Sequence, residues 1–244
     1  MARLGRYFVA DQPLHVIQRG NNKSRIFHTR DDATFFLGWL GDAAERYGLS
    51  LHAYVLMPNH IHVLASPQDE ESLPRTMQSV GRRYVRYLNR RMERSGTLWE
   101  GRYRATVVDT EAYLFRVARY IELNPVRAGL APDASAYRWS SHRANALGQP
   151  DPLITPHGLY DTLGADAPAR AQAYRALFDE TLGDDMLKTI RESTNRGWAL
   201  GDDAFRARMS VAGGRRAMPL AKGRTRAVRP TEAPAQPSPD FLAG

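Results

Sequence analysis

The segment Leu51-His52-Ala53-Tyr54-Val55-Leu56-Met57-Pro58-Asn59-His60-Ile61-His62-Val63-Leu64-Ala65 decides the fold. Residues 51–57 and 61–65 are runs of β-type side chains, each the length of a strand, and Pro58-Asn59 between them is turn punctuation. Two antiparallel strands joined as a hairpin follow from that pattern. On both sides of the hairpin the apolar period becomes helical. Upstream, Phe36, Trp39, Leu40, Ala43 and Tyr47 recur at helical spacing, Thr29 with Asp32 has the form of a capping box, and Gly48 stands where a helix ends. Before that helix, residues 9–18 alternate as a strand that stops at Gly20-Asn21-Asn22. Downstream, Leu73, Met77, Val80, Tyr84 and Tyr87 mark the buried side of a long helix over residues 73–94. Its other side carries Arg82, Arg83, Arg86, Arg90 and Arg94. A short strand over 105–109 comes next, then a helix over 111–123 that Thr110 caps and Pro125 stops.

The order β-α-β-β-α-β-α predicts an α+β fold, a ferredoxin-like, mostly antiparallel sheet with helices packed on one face. Beyond Pro132 the signals weaken to helical runs around 170–182 and 184–194, which read as a small helical appendage over residues 142–212. Between Val211 and Pro230 there are six basic residues and no acidic one, so residues 213–244 read as a basic, disordered tail.

Composition narrows the chemistry. A chain of 244 residues that is 43% hydrophobic can bury its own core. It has no cysteine, which excludes disulfides, zinc ribbons and thiol nucleophiles. No apolar run reaches the roughly 18 residues of a membrane span, and residues 1–9 lack the core of a signal peptide, so a cytoplasmic protein is expected. The net charge of +8 favours a polyanionic partner such as nucleic acid.

Two short patterns carry candidate chemistry. On a strand, alternate residues share a face, so His60 and His62 would point the same way and form half of a divalent-metal site. The same tripeptide also suits ordinary surface or core histidines. At the end of the last core helix, Tyr120 and Asn124 are separated by one turn and lie at the border of a stripe made by Leu114, Val117, Ala118 and Ile121. That spacing suits a shared site, and equally a boundary tyrosine beside a capping asparagine. Taken together the patterns make chemical sense. Neutral imidazoles and an amide oxygen leave a metal's positive charge available to polarise a phosphate. A tyrosine hydroxyl with a reference pKa of about 10 needs such help to act as a nucleophile. The remaining histidines, His15, His28, His52, His142 and His157, lack a partner motif and read as structural or surface residues.

Four ordered stretches carry a resemblance: residues 15–22 (HVIQRGNN), 57–64 (MPNHIHVL), 99–104 (WEGRYR) and 120–130 (YIELNPVRAGL), with residues 137–141 (YRWSS) beyond them. In these the chain resembles the REP-associated tyrosine transposases, in the single-tyrosine branch of the HUH endonucleases. The likeness implies a transposase-like catalytic domain over residues 1–141. It implies His60, His62 and Asn124 as ligands of magnesium or manganese, and Tyr120 as the nucleophile. Related transposases often have glutamine where this chain has Asn124. The implied reaction is transesterification on single-stranded or hairpin DNA of the repetitive palindromic type, by a monomer or a homodimer. Tyr120 would retain the 5′ end covalently, and a 3′-hydroxyl would later reseal the strand. No nucleotide-binding glycine loop is present, as expected for an exchange of one phosphodiester for another.

DNA contacts are expected from the arginine side of the long helix, Arg82, Arg83 and Arg86, because spaced guanidinium groups can follow a phosphate backbone. Trp99, Arg102, Tyr103 and Arg104 mix aromatic and cationic groups in a loop, a composition suited to stacking exposed bases. Trp99 serves equally as a core anchor. Two rival readings use the same residues: a non-catalytic single-strand binder derived from a transposase, and a hydrolase that activates water at the histidines.

Overall fold

Pro58 and Asn59 close a β-hairpin in the computed structural model, which describes residues 8–10, 12–214 and 216–218. Strands β2 (Leu49–Met57) and β3 (His60–Pro67) pair antiparallel from Met57 opposite His60 to Leu49 opposite Pro67. The register shifts between Leu51 and Ala53, so His52 is the extra residue of a bulge. The bulge keeps Leu51, Tyr54 and Leu56 on one face and Ala53, Val55 and Met57 on the other, matching two separate cores.

Around the hairpin lie β1 (Leu14–Arg19), α1 (Arg30–Tyr47), α2 (Ser72–Arg91), β4 (Arg104–Val107) and α3 (Thr110–Glu122). The sheet order is β2-β3-β1-β4 with every pair antiparallel, an α+β fold of the ferredoxin-like kind. Boundaries differ from the sequence reading where local bonds intervene. The first strand starts at Leu14 because Gln12 N–H turns back to Val9 O at 3.2 Å. The long helix stops at Arg91, just before Glu93 with φ of 50°.

Helix α1 begins with both hydrogen bonds of the Thr29–Asp32 capping box and ends at Gly48, whose φ of 67° suits glycine. Asp32 also joins the two helices. Its carboxylate accepts from His28 N–H (2.7 Å), Thr29 N–H (2.9 Å), Tyr87 Oη (2.9 Å) and Arg91 Nη2 (2.9 Å). Burial alone would raise its pKa, but these donors outweigh it and hold the carboxyl below its ordinary value.

Helices α1 and α2 cover one face, packing Phe36, Leu40, Tyr84 and Leu88 on Leu14, Val16, Ile61 and Val63. The expectation that all helices share that face is corrected by α3, which packs Leu114, Val117 and Ile121 on Ala53, Val55 and Leu64 of the opposite face. The reason is legible in β2, whose side chains are buried on both sides, so both faces need cover. Helices α4 (Asn124–Arg127), α5 (His142–Leu147), α6 (Gly158–Asp161), α7 (Ala167–Ala176), α8 (Asp184–Arg196) and α9 (Asp203–Ala212) follow. They share the two cores: Tyr174 and Ile190 join the second, Phe205 and Met209 the first. Helix α8 is pinned to β4 by Thr106 Oγ1 donating to Ser193 O (3.2 Å) and by Arg104 Nη1 donating to Asn195 Oδ1 (2.7 Å). The basic tail read over residues 213–244 lies outside the described residues beyond 218. Among the described residues no helix is long and apolar enough to cross a membrane.

Candidate functional site

Strand alternation puts His60, His62 and Leu64 on the face that α3 covers, while Ile61 and Val63 enter the first core. The His60 and His62 rings are 4.9 Å apart. Tyr120 approaches from α3 with its ring edge-on to His62 at 5.8 Å. The two histidines and the tyrosine therefore meet at one place. One expectation changes: Tyr120 is 6% exposed and part of the second core, not a border residue of its helix. The guanidinium of Arg127, from α4, lies over its ring at 4.5 Å. Asn124 Nδ2 donates to Tyr120 O at 3.1 Å, and Arg127 Nη2 donates to the same carbonyl. Asn124 is thus a helix-end cap through its NH2 group, with its amide oxygen left over for another partner.

His15 was read as a structural or surface residue, and the structure makes it part of this cluster. It is fully buried in the central strand β1, with Nε2 2.9 Å from His62 Nδ1 and its ring 5.8 Å from that of Tyr120. The signal was available only through register: Ile17 pairs with His62, so His15 lies two residues along β1 on the same face.

All three imidazoles resist protonation. Burial brings His15 down to about 3, and burial followed by the nearby Arg19 charge brings His60 to about 4. His62 is pushed well below its ordinary value by burial first, then by His15, His60, Arg127 and Arg19. Neutral rings keep a lone pair each. His60 Nδ1 lies 2.6 Å from Asn59 Oδ1, an acceptor, so its proton is on Nδ1 and its lone pair on Nε2. No group of three or more His, Cys, Asp or Glu stands together as a metal cage among the described residues. A cation here would take the Nε2 atoms of His60 and His62 with a neutral oxygen such as that of Asn124. Borderline and hard divalent ions accept that donor set.

The nucleic-acid candidates lie elsewhere. Arg82, Arg83 and Arg86 are exposed on α2. Arg83 is already engaged, 3.3 Å from Asp42 Oδ2 and 5.0 Å over the Trp39 ring. Tyr103 is buried in the first core and Trp99 packs against it, so both rings act as anchors in this structure. With Arg82, Arg102, Gln18 and Gln78 they line a cavity of about 400 Å³. Gln18 adjoins Ile17 in β1, so its side chain points to the face opposite the histidines. Arg102 is exposed, and Arg104 is spent on Asn195.

Glu122, two residues beyond Tyr120, went unremarked in the sequence. Its carboxylate has 0% exposure and accepts from Ser141 Oγ (2.6 Å) and Asn145 Nδ2 (2.9 Å), with His142 Nδ1 and Tyr174 Oη each at 3.2 Å. Those donors come from the turn before α5, from α5 itself and from α7. They brace the end of the helix that carries Tyr120.

Residues 8–124 match the family model described as "Transposase IS200 like". Among solved structures, one described as a "REP associates tyrosine transposase bound to a REP hairpin" has the same fold, with a TM-score of 0.51 and 16% identity over 64% of this chain and 93% of that one. A putative transposase from Deinococcus radiodurans aligns at 22% identity over 50% of this chain and 96% of its own, with a TM-score of 0.35. No curated protein matches the chain. Residues 8–124, which hold the sheet, both histidines, the tyrosine and Asn124, are the part of the chain that is similar to the IS200-like transposase family.

Proposed function

We propose that this protein cuts and rejoins single-stranded DNA through a 5′-phosphotyrosine, acting in the cytoplasm on hairpins of the repetitive palindromic type. The observation that carries the reading is the convergence of His60, His62 and Tyr120, from a strand and a helix, within ring-contact distance. A divalent cation, magnesium or manganese, held by His60, His62 and Asn124, would polarise the scissile phosphate.

The chain's own groups supply the rest. Tyr120 Oη attacks phosphorus and loses its proton. The bond from phosphorus to the 3′ oxygen breaks, its electron pair stays on that oxygen, and protonation yields a 3′-hydroxyl. The phosphate remains on Tyr120 as a 5′ ester, and attack by a 3′-hydroxyl reverses the step. Arg127 and Arg19 place positive charge beside the imidazoles, where a phosphate would sit. Because Tyr120 lies under Arg127, attack requires that cover to open. A DNA phosphate competing for the Arg127 guanidinium provides a means. Hairpin recognition draws support from the relative captured with such a hairpin, which shares this fold.

The test is a labelled hairpin strand incubated with the protein and manganese. A covalent protein–DNA adduct is expected, lost in Tyr120→Phe while hairpin binding stays within about threefold. A shifted band without adduct from the wild type would instead identify a binding module. Cleavage that survives in Tyr120→Phe and leaves free 5′-phosphates would identify a hydrolase.

A further inference from the structure

Three hydrogen bonds run inward from His62 and end on the backbone. His62 Nδ1 lies 2.9 Å from His15 Nε2, His15 Nδ1 lies 3.0 Å from Thr194 Oγ1, and Thr194 Oγ1 donates to Ile190 O at 2.7 Å. A hydroxyl has one proton and a carbonyl oxygen can only accept, so the Thr194 proton is committed to Ile190. The Thr194 oxygen is left to accept. His15 therefore carries its proton on Nδ1, and its bare Nε2 accepts from Nδ1–H of His62. The polarity of the row is set at its far end, and it leaves the His62 lone pair on Nε2. Opposite polarity would place a proton on His62 Nε2 and close that atom to a cation. His15, His62 and Thr194 are 0%, 3% and 1% exposed, which leaves little room for water to replace a lost partner. Thr194 is itself held in place, because its neighbours Ser193 and Asn195 are tied to β4 by Thr106 and Arg104.

We infer that His15 and Thr194 are positioning residues that lock His62 in the tautomer able to ligate a divalent cation through Nε2, so that helix α8 sets the cation affinity of the site. The inference rests on the proposed role of His62 as a ligand. Outer partners of ligating histidines act in this way by fixing ring orientation and tautomer, and their loss weakens metal binding about 10- to 100-fold. It gives the region after residue 141 a task in the site beyond covering the sheet.

The experiment is Mn2+ titration of the full chain by calorimetry, alongside 15N spectra of the histidine side chains without metal. The wild type should show His15 and His62 both protonated on Nδ1. Thr194→Val removes the hydroxyl at similar size and should weaken Mn2+ binding about 10-fold or more, whereas Thr194→Ser should restore it to within about threefold. His60→Ala tests the site itself and should abolish binding. Mn2+ affinity unchanged in Thr194→Val, with binding abolished in His60→Ala, overturns the inference and leaves the proposed function standing. A wild-type spectrum with the His62 proton on Nε2 overturns it as well, and needs no variant to fold. Binding that ignores His60→Ala sinks the ligand assignment, and the inference with it.

Discussion

Leu14 and His15 are neighbours in β1, yet Leu14 points into aromatic and aliphatic side chains and His15 into the histidine cluster. The same split runs along β3, where Ile61, Val63 and Ala65 enter the first core while His60 and His62 face Tyr120. On the first face the contacts are rings on rings: Phe36 on Tyr84 at 5.1 Å, Phe27 on Phe36 at 5.4 Å, Phe27 on Tyr84 at 5.5 Å. On the second face, polar groups are buried among the apolar ones, and three of them find partners there: His15 in Thr194, His52 in Ser66, Glu122 in Ser141 and Asn145. Period two lets one strand divide the labour, with one face carrying the ring cluster and the other carrying the histidines beside a second core.

The largest effect that can break this comparison is on the first face. Tyr84 is fully buried, and its hydroxyl donates to Ile26 O at 2.6 Å. Tyr84→Ala removes the centre of the ring cluster and should lower unfolding stability by about 3–5 kcal/mol in urea titrations. The fraction that remains folded should bind Mn2+ and form the DNA adduct as the wild type does. A loss of Mn2+ affinity in that folded fraction would mean the faces are coupled through the sheet, and the division of labour would fail.

What the sequence disclosed follows the same divide. The hairpin, the capping box and the Tyr84 stripe depend on residues a few positions apart, and local periodicity reports them directly. His15 depends on the β1–β3 register and on Thr194, 179 positions away, which no local pattern contains. Glu122 needs donors from residues 141, 142, 145 and 174 before burial of its charge makes sense. For Trp99 stacking and anchoring both stayed open, and Tyr103 read as a stacking residue, because a loop composition does not say which way a ring turns; both rings pack at the first core. The second covered face could have been read from residues 53–57, where no polar residue interrupts the run.

A smaller effect sharpens the contrast through pH. His52, the bulge residue, bonds Thr155 O at 2.8 Å through Nδ1 and Ser66 Oγ at 2.9 Å through Nε2. Burial brings it down to about 4, opposed by the Thr155 carbonyl and aided by His157, whose ring is 5.0 Å away. The unfolded chain takes up the proton more readily than the folded one, so stability is full above about pH 6.5 and is lost as pH falls toward about 4. Between pH 6.5 and 5 this histidine should account for about 2 kcal/mol. His52→Gln should flatten the slope of unfolding free energy against pH by nearly one proton over that range. A slope identical to that of the wild type would show that His52 is already matched by an equally hindered state in the unfolded chain.

The smallest expected effect on stability belongs to the outer side of the first face, where α2 turns arginines to solvent. Arg91 is tied to buried Asp32 and Arg83 to Asp42, whereas Arg82 and Arg86 make no ion pair among the described residues. If α2 follows a DNA backbone, Arg82→Ala and Arg86→Ala should each leave urea unfolding unchanged within error. Each should also lower the slope of log affinity against log salt for the hairpin by about 0.7 to 0.9, the release of one counterion. Arg91→Ala should do the reverse, weakening the fold by stranding Asp32 while leaving the salt slope near that of the wild type. Equal salt slopes in Arg82→Ala, Arg86→Ala and the wild type would take the DNA path off this helix. The basic surface to probe next would then be Arg19 and Arg127 beside the histidines, which would place substrate contact and chemistry on the same face of the sheet.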